Sequence, residues 1–256
     1  MTKSQLSLGF VGLGALGLPM AINLDKAGFP LRVHTRSRKA ETNPELEGAT
    51  PCSSPAEAST GVDVLLLCVS DDAAVEEVLF GANGAASQLS IDSVVLDCST
   101  IAPATAQHCA ERLARQKVHY MDAPVTGGTE GAKRGSLTVL VGGASEPLER
   151  VRPILEVIGG SIHHFGGVGR GQQVKAVNQV LVAGSYAAVA EAVALGQRLE
   201  LPMPQVIDAL KNGAAGSWAL DHRSIAMLEG SYPLGFRLSL HRKDLGIALD
   251  AAKAVQ

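Results

Sequence analysis

The sequence predicts an α/β fold class: an N-terminal Rossmann domain with a doubly wound parallel sheet, followed by an all-α C-terminal domain with a long interdomain helix. Residues 1–165 alternate short apolar runs with helical patterns, which is typical of a parallel sheet covered on both faces. A glycine-rich turn follows the first apolar run, and beyond residue 173 the pattern is only helical. We therefore expect a domain of residues 1–165 and another of residues 166–256.

The individual elements follow from the apolar runs and the helix start signals along the chain. The glycine-rich stretch 166–171 interrupts this pattern, and we expect it to act as a hinge. The predicted strands are 6–11, 31–34, 62–69, 93–97, 118–122, 137–141 and 161–165, and the predicted helices include 72–79, 103–116, 147–158, 173–199, 204–211, 218–229 and 241–255.

The glycine-rich turn lies where the first predicted strand passes into a helix. In a dinucleotide-binding turn, the first glycine permits a tight turn, the second lets a pyrophosphate approach the backbone, and the third lets the helix pack on its strand. Free N–H groups at the helix start then face the phosphates. An ordinary tight turn is the alternative, but the position after a strand and before a helix favours a dinucleotide. The predicted contacts are Gly12, Leu13, Gly14, Ala15, Leu16 and Gly17.

The segment after the second strand, Thr35, Arg36 and Ser37, indicates which dinucleotide binds. An acid about 20 residues past the glycines accepts the ribose 2′-OH of NAD, whereas an arginine there suits the 2′-phosphate of NADP. No acid lies between Asp25 and Glu41, and Arg36 can hold a phosphate with its fork of donors. The segment therefore favours NADP (NADPH) over NAD, the alternative being a solvated basic loop.

Composition and charge exclude several other classes of protein. The net charge of −3 and the lack of a basic block with interleaved aromatics give no sign of nucleic-acid binding. The four cysteines lack C-x-x-C spacing, so we expect buried thiols in a reducing cytoplasm and neither a metal site nor disulfides. We expect no signal peptide, because the first strand begins almost at once, and no membrane span, because no apolar run of about 18 residues is uninterrupted.

Two further features could carry chemistry. Thr126, Gly127 and Gly128 follow the fifth strand, where a doubly wound sheet binds ligands, and such a turn can cradle a substrate carboxylate. An ordinary turn explains them equally well. Lys175 lies near the start of the long apolar helix, where a lysine is costly unless it is paired or used, and it can act as a general acid beside an amide that fixes the substrate oxygen. A lysine that reaches outward to water is the alternative.

Five motifs occur in the same order as in one enzyme family. They are GFVGLGALGLPMAINL, DCSTIAP, DAPVTGGTEGAKRGSLTVLVGG, GVGRGQQVKAVNQ and FRLSLHRKDLGIAL. With them, the whole chain resembles the β-hydroxyacid dehydrogenases, which include 3-hydroxyisobutyrate dehydrogenase, tartronate semialdehyde reductase and the glyoxylate/succinic semialdehyde reductases. The resemblance implies an NADP-dependent oxidoreductase that interconverts small 3- or 4-hydroxy acids and their semialdehydes.

The resemblance also implies roles for particular residues. Lys175 is then the catalytic acid/base, and Asn178 orients the substrate together with Gln179. Thr126, Gly127 and Gly128 hold the substrate carboxylate. The remaining implied cofactor contacts are Val69, Ser70 and Thr100 on the nicotinamide side and Lys243, whose pairing with Asp244 otherwise reads as a solvent-facing helix surface.

Departures from the family pattern and rival functions complete the expectations. Thr126 stands where many members have serine, and Thr35 replaces a common asparagine. Most members continue beyond the equivalent of Gln256, and the two interpretations are a missing tail, which leaves the C-terminal domain incomplete, and a native end. The rival functions are an imine reductase of the same architecture and a non-catalytic binding homologue. Lys175 and Asn178 count against both.

The long helix predicts a second subunit. It is apolar nearly all round and needs cover on most faces, whereas the C-terminal domain that follows is small. We expect a homodimer or homotetramer, the alternative being cover by the first domain alone.

Overall fold

The computed structural model describes residues 6–232 and 235–255. The chain divides into two units, Met1–Lys175 and Ala176–Gln256. The predicted boundary at residue 165 falls earlier in the chain and stays a prediction.

A six-stranded, all-parallel sheet forms the first unit's centre, with strand order β3-β2-β1-β4-β5-β6. The order reverses at β1, which pairs with β2 on one side and β4 on the other, and this switch point is where doubly wound sheets bind ligands. The predicted Rossmann architecture is confirmed. The strands are β1 Leu8–Val11, β2 Leu31–His34, β3 Thr50–Pro51, β4 Val64–Leu67, β5 Val94–Asp97 and β6 His119–Asp122.

Helices cover both faces of this sheet, and each face has its own apolar core. Alternate residues of a strand point to opposite faces, so Phe10 and Leu66 belong to one core while Val11 and Leu67 belong to the other. Strands buried on both faces explain the continuous apolar runs in the sequence. The helices of this unit are α1 Gly17–Lys26, α2 Pro55–Ala58, α3 Asp72–Phe80, α4 Pro103–Ala114, α5 Gly128–Arg134 and α6 Ser145–Ile158.

A second, three-stranded sheet follows, formed by β7 Val125–Thr126, β8 Leu137–Val141 and β9 Gly159–His164. The predicted strands 137–141 and 161–165 therefore do not extend the large parallel sheet. The reason is β7, which is too short to show a periodicity and pairs antiparallel with β8. A single antiparallel bridge between Asp122 and Gly142 links this sheet to the end of β6.

The predicted hinge at 166–171 is only partly a turn. Gly166 and Gly169 have φ angles of +109° and +91°, which favour glycine, but α7 begins at Arg170. A Cβ atom on Gly171 would lie 2.2 Å from the Leu140 carbonyl oxygen, so this glycine is required for close packing. The hinge prediction is therefore wrong for Arg170 and Gly171.

Within its described residues the second unit consists of helices joined by turns and loops, as predicted. Its small core joins α7 to the following helices through Val189, Val193, Met203, Ile207 and Leu220. By length and composition alone α7 could cross a membrane, with 22% of its most apolar window buried, but this is weak evidence because core helices pass the same test. The helices are α7 Arg170–Arg198, whose first residues belong to the first unit, α8 Met203–Leu210, α9 Trp218–Glu229 and α10 Leu238–Lys253.

Candidate active site

The carboxyl ends of the central strands meet at one edge of the large sheet. Val11 is in register with Leu67, Leu67 with Asp97, and Asp97 with Asp122. The turns that follow these strands therefore lie side by side, and they contain most of the residues that the sequence singled out in the first unit.

The glycine turn after β1 fits a dinucleotide pyrophosphate. Gly12 has a φ angle of +105°, and a Cβ atom there would lie 2.3 Å from the Cys68 carbonyl oxygen. A Cβ atom on Gly17 would lie 1.9 Å from the Gly12 carbonyl oxygen, whereas one on Gly14 would meet no atom within 4 Å. Gly12 thus permits the tight turn, Gly17 lets the helix pack closely, and Gly14 leaves room for a pyrophosphate to approach, which are the three roles expected of such glycines.

The start of α1 is open to an anion. Leu16, the N-cap residue, forms no side-chain capping hydrogen bond, and the first turn of α1 contains no acidic residue. Gly14 and Ala15 are exposed, whereas Leu13 is buried. The helix therefore presents backbone donors and the positive end of its dipole to the solvent at the switch point of the sheet. The pyrophosphate of NAD or NADP would be held here.

The segment after β2 presents the predicted adenosine-ribose contacts. Arg36 and Ser37 are exposed, and Thr35 is partly buried. The backbone N–H of Thr35 donates a hydrogen bond of 2.7 Å to the carboxylate of Glu41. An acid six residues further along the chain thus lies directly beside the end of β2.

The turns after β4 and β5 are linked by a hydroxyl that the sequence analysis did not assign. The backbone N–H of Val69 donates to Ser99 Oγ at 3.0 Å, and Ser99 is buried. Ser70 is exposed, and its hydroxyl donates to Asp71, which in turn caps α3. Thr100 lies one residue beyond Ser99 and is partly buried.

Lys175 lies beside the predicted substrate loop. Its side-chain amine donates a hydrogen bond of 2.8 Å to the carbonyl oxygen of Val125, one residue before Thr126, and the lysine is 7% exposed. Gly127 and Gly128 have φ angles of +128° and +67°, which only glycine adopts readily. The loop and the amine are therefore neighbours within the first unit, and the lysine does not extend into solvent.

Two buried side chains fix the start of the helix that carries Lys175. Asp122 accepts hydrogen bonds from the backbone N–H groups of Gly169 at 2.7 Å and Gln172 at 2.9 Å. The Gln172 side chain donates to the Ser99 carbonyl oxygen at 2.8 Å and accepts from the Ile101 N–H at 3.2 Å. Sequence reasoning missed both roles, because the partners are far apart along the chain.

Burial raises the pKa of both aspartates at this edge. The raised pKa of Asp122 is opposed by the N–H groups of Gly169 and Gln172, which stabilise the charged form. Burial likewise raises the pKa of Asp97, although it accepts hydrogen bonds from the Ser99 N–H at 2.9 Å and the Tyr120 hydroxyl at 2.7 Å.

Four side chains of the second unit form a separate polar network. Asn178 donates to the Gln179 side-chain oxygen at 2.8 Å, and the Gln179 amide donates to Asp244 Oδ2 at 2.7 Å. Asp244 Oδ1 lies 2.8 Å from Lys243 Nζ, and the two groups form an ion pair. Gln179 and Asp244 are buried. One carboxylate thus holds a predicted substrate residue and a predicted cofactor residue.

The cysteines are thiols and none forms a disulfide. Burial raises the pKa of Cys68 and Cys109 to about 12, so neither forms a reactive thiolate near neutral pH. Among the described residues no group of three or more His, Cys, Asp or Glu side chains is placed to hold a metal ion.

Two family models cover most of the chain. Residues 7–167 match the NAD-binding domain of 6-phosphogluconate dehydrogenase, and residues 169–256 match the NAD-binding domain of NADP-dependent 3-hydroxyisobutyrate dehydrogenase.

Three known proteins illustrate the similarity. The 2-hydroxy-3-oxopropionate reductase of Escherichia coli strain K12 is 38% identical over 98% of this chain and 85% of its own length. The crystal structure of 3-hydroxyisobutyrate dehydrogenase from Salmonella typhimurium has a TM-score of 0.90 at 32% identity, covering 98% of this chain and 88% of that one. The structure of Psf3 in complex with NADP+ and 2-OPP has a TM-score of 0.90 at 28% identity, covering 95% and 86%.

These similarities confirm the family that the ordered motifs indicated. The large sheet, the glycine turn and the helical second unit are the parts that an NAD(P)-binding dehydrogenase of this type requires. The chain belongs to the β-hydroxyacid dehydrogenase family and is an NAD(P)-dependent hydroxy acid dehydrogenase that acts on CH–OH groups.

Proposed function

We propose that the enzyme interconverts a small 3- or 4-hydroxy acid and its semialdehyde, uses NADP(H) in preference to NAD(H), and employs Lys175 as its acid/base. The observation that carries the proposal is the buried amine of Lys175, 2.8 Å from the carbonyl of Val125 and next to the Thr126 loop. A buried ammonium beside a loop of backbone donors is suited to a substrate that has both a carboxylate and a carbonyl group.

The chain's own groups divide the work of the reaction. The Thr126 hydroxyl and the backbone N–H groups at the start of α5 bind the carboxylate, since no side chain caps that helix. Lys175 Nζ gives a proton to the carbonyl oxygen during reduction and takes it back from the hydroxyl during oxidation. Asn178 and Gln179 orient the substrate. When bound, the nicotinamide supplies a hydride to the carbonyl carbon, or accepts it in the reverse direction.

Lys175→Ala tests the acid/base role. We expect kcat to fall by about 10²- to 10⁴-fold, the usual contribution of a positioned acid or base, with NADPH binding retained. Lys175→Met is the matched variant, because it keeps most of the side-chain length and removes only the ammonium. A loss below about fivefold in both variants would remove Lys175 from the mechanism.

The cofactor preference rests on Arg36 and Ser37, which are exposed directly after β2. Arg36→Glu replaces a donor fork with a carboxylate and should weaken NADPH binding by more than about tenfold while changing NADH binding much less. Equal effects on the two nucleotides would refute the 2′-phosphate assignment.

The substrate is best identified by a panel assay. NADPH consumption should be measured with short aldehyde acids that differ by single methylene groups, and repeated with NADH. One methylene changes discrimination by only about 1 to 3 kcal/mol, so the preferred substrate should exceed its neighbours by a measurable but limited factor. A chain that reduces none of them but reduces cyclic imines would favour the imine reductase alternative.

We also propose that α7 packs against a second copy of the chain in a homodimer or homotetramer. Val177, Val180 and Leu181 on this helix are 63%, 53% and 69% exposed, which is unusual for neighbouring apolar side chains. Light scattering should show an oligomer that Leu181→Glu dissociates. Leu249→Glu, which changes a similarly exposed leucine on α10, should leave the oligomer intact. Vesicle binding by the wild type would instead favour a membrane surface. The predicted cytoplasmic location stays a prediction.

A further inference from the structure

Glu41 is a buried acid at the place where an adenosine ribose would bind. The residue is 4% exposed, although it lies in a short 3-10 helix on the surface of the first unit. Its Oε1 atom accepts the Thr35 N–H at 2.7 Å and lies 3.4 Å from His34 Nδ1, while its Oε2 atom accepts Arg38 Nε at 2.7 Å. Both carboxylate oxygens are therefore engaged within the protein.

Arg38, which donates to this carboxylate, has an unusual backbone conformation. Its φ angle of +61° lies in the left-handed region, which is unfavourable for a residue with a side chain. Its N–H donates to the Thr35 carbonyl oxygen at 2.9 Å, and its side chain remains 50% exposed. The guanidinium is thus anchored through Nε, with its outer part accessible to solvent.

Because Glu41 is buried and paired, its position beside β2 does not indicate a preference for NAD. A free carboxylate here would accept the 2′-OH of NAD and would repel the 2′-phosphate of NADP. The Glu41 side chain is only 2% exposed and is neutralised by Arg38, so it does not reach a ribose hydroxyl. What this loop presents to solvent is the positive charge of Arg38, two residues from Arg36.

We propose that Arg38, oriented by Glu41, is a second cation for the ribose 2′-phosphate, and that this pair determines selectivity for the phosphorylated nucleotide. The inference rests on the proposed NADP preference and extends it beyond Arg36. Removing Arg38 has two effects of the same sign, because the phosphate loses a cation and the carboxylate of Glu41 becomes an uncompensated neighbour.

The test is calorimetric binding of two fragments, 2′,5′-ADP and 5′-AMP, to the purified enzyme. Arg38→Ala should weaken 2′,5′-ADP by about tenfold or more, as expected for a lost charge-assisted hydrogen bond, and should leave 5′-AMP within about twofold. Lys39→Ala removes an identical charge from the next residue, which is also exposed, and should change neither affinity appreciably. Equal losses in the two variants would overturn the inference.

A double-mutant cycle tests the role of Glu41 as a positioning residue. In Glu41→Gln the carboxylate that orients Arg38 is gone, so Arg38 should contribute less to binding. The fold-loss of 2′,5′-ADP affinity caused by Arg38→Ala should therefore be at least about three times smaller in this background than in the wild type. An unchanged factor would show that Glu41 acts only in folding. Should Glu41→Gln fail to fold, the comparison of Arg38→Ala with Lys39→Ala still decides the assignment of Arg38.

The two proposals fail in different ways. If the wild type binds 2′,5′-ADP no more tightly than 5′-AMP, the proposed NADP preference is wrong. If the wild type discriminates, Arg36→Glu abolishes the discrimination, and Arg38→Ala does not affect it, the inference about Arg38 is wrong while the proposed cofactor stands.

Discussion

Asp122→Asn should weaken the attachment of the helix that carries Lys175. The wild-type carboxylate accepts the N–H groups of Gly169 and Gln172 with separate oxygens, at 2.7 and 2.9 Å. Asparagine has nearly the same shape but one carbonyl oxygen, so its NH2 group faces one of the two N–H groups. One buried donor is then left without an acceptor.

The size of the effect follows from these contacts. An unsatisfied buried donor costs about 1 to 3 kcal/mol. Part of this is offset because burial raises the pKa of Asp122, so the neutral amide avoids the unfavourable burial of a charge. We expect a net decrease of about 1 to 2 kcal/mol in the free energy of unfolding. We also expect kcat to fall by about tenfold, since Lys175, the proposed acid/base, follows Gln172 by one helical turn and small displacements of such a group are costly.

Urea unfolding followed by circular dichroism, together with steady-state kinetics, measures both quantities. Asp71→Asn is the matched control, because Asp71 caps the partly exposed start of α3 and asparagine caps helices about as well as aspartate. The reasoning is refuted if Asp122→Asn leaves stability and kcat as unchanged as the control does.

Three further predictions concern other parts of the molecule. Gly14→Ala should fold normally, since its Cβ atom meets nothing within 4 Å, but it should bind NADPH about tenfold more weakly. Gly17→Ala should instead lose about 1 to 3 kcal/mol of stability from overpacking. Urea unfolding and cofactor titration distinguish the two effects. Asp244→Asn should raise KM for substrate and for NADPH together, because one carboxylate holds residues assigned to each, and a change in only one KM would contradict the shared anchor. The raised pKa of Asp97 means that the folded state binds its proton more tightly than the unfolded chain does. Its contribution to stability is therefore largest below its ordinary pKa and is lost as pH rises through the pKa of the folded state. In Asp97→Asn the free energy of unfolding should depend less steeply on pH than in the wild type.

Local patterns predicted most elements of the fold. The strand at Leu31–His34 and the helix at Trp218–Glu229 have the predicted bounds, because each is a periodic segment between clear breakers. The two-residue strands at Thr50–Pro51 and Val125–Thr126 were missed, because segments of that length have no periodicity and pair only when a neighbouring strand is already in place.

The candidate site divides along the same line. Lys175 was a candidate from the sequence because it is an ionisable residue near the start of a helix that is largely apolar. Glu41 illustrates the opposite case. The sequence showed only that no acid lies directly after β2, and it did not show that the 3-10 helix folds the Glu41 carboxylate back to the Thr35 N–H.

The sequence by itself determined the fold class and the glycine turn, because periodicity and close spacing are properties of neighbouring residues. It also supplied the residues proposed for acid/base catalysis and for cofactor binding. Tertiary structure alone decided that Asp122 caps a helix beginning 48 residues later at Arg170, with its hydrogen bond to Gly169 spanning 47 positions, and that Asp244 reaches Gln179 across 65. Such pairs form only when packing brings distant segments together and leaves their buried polar groups with no other partner.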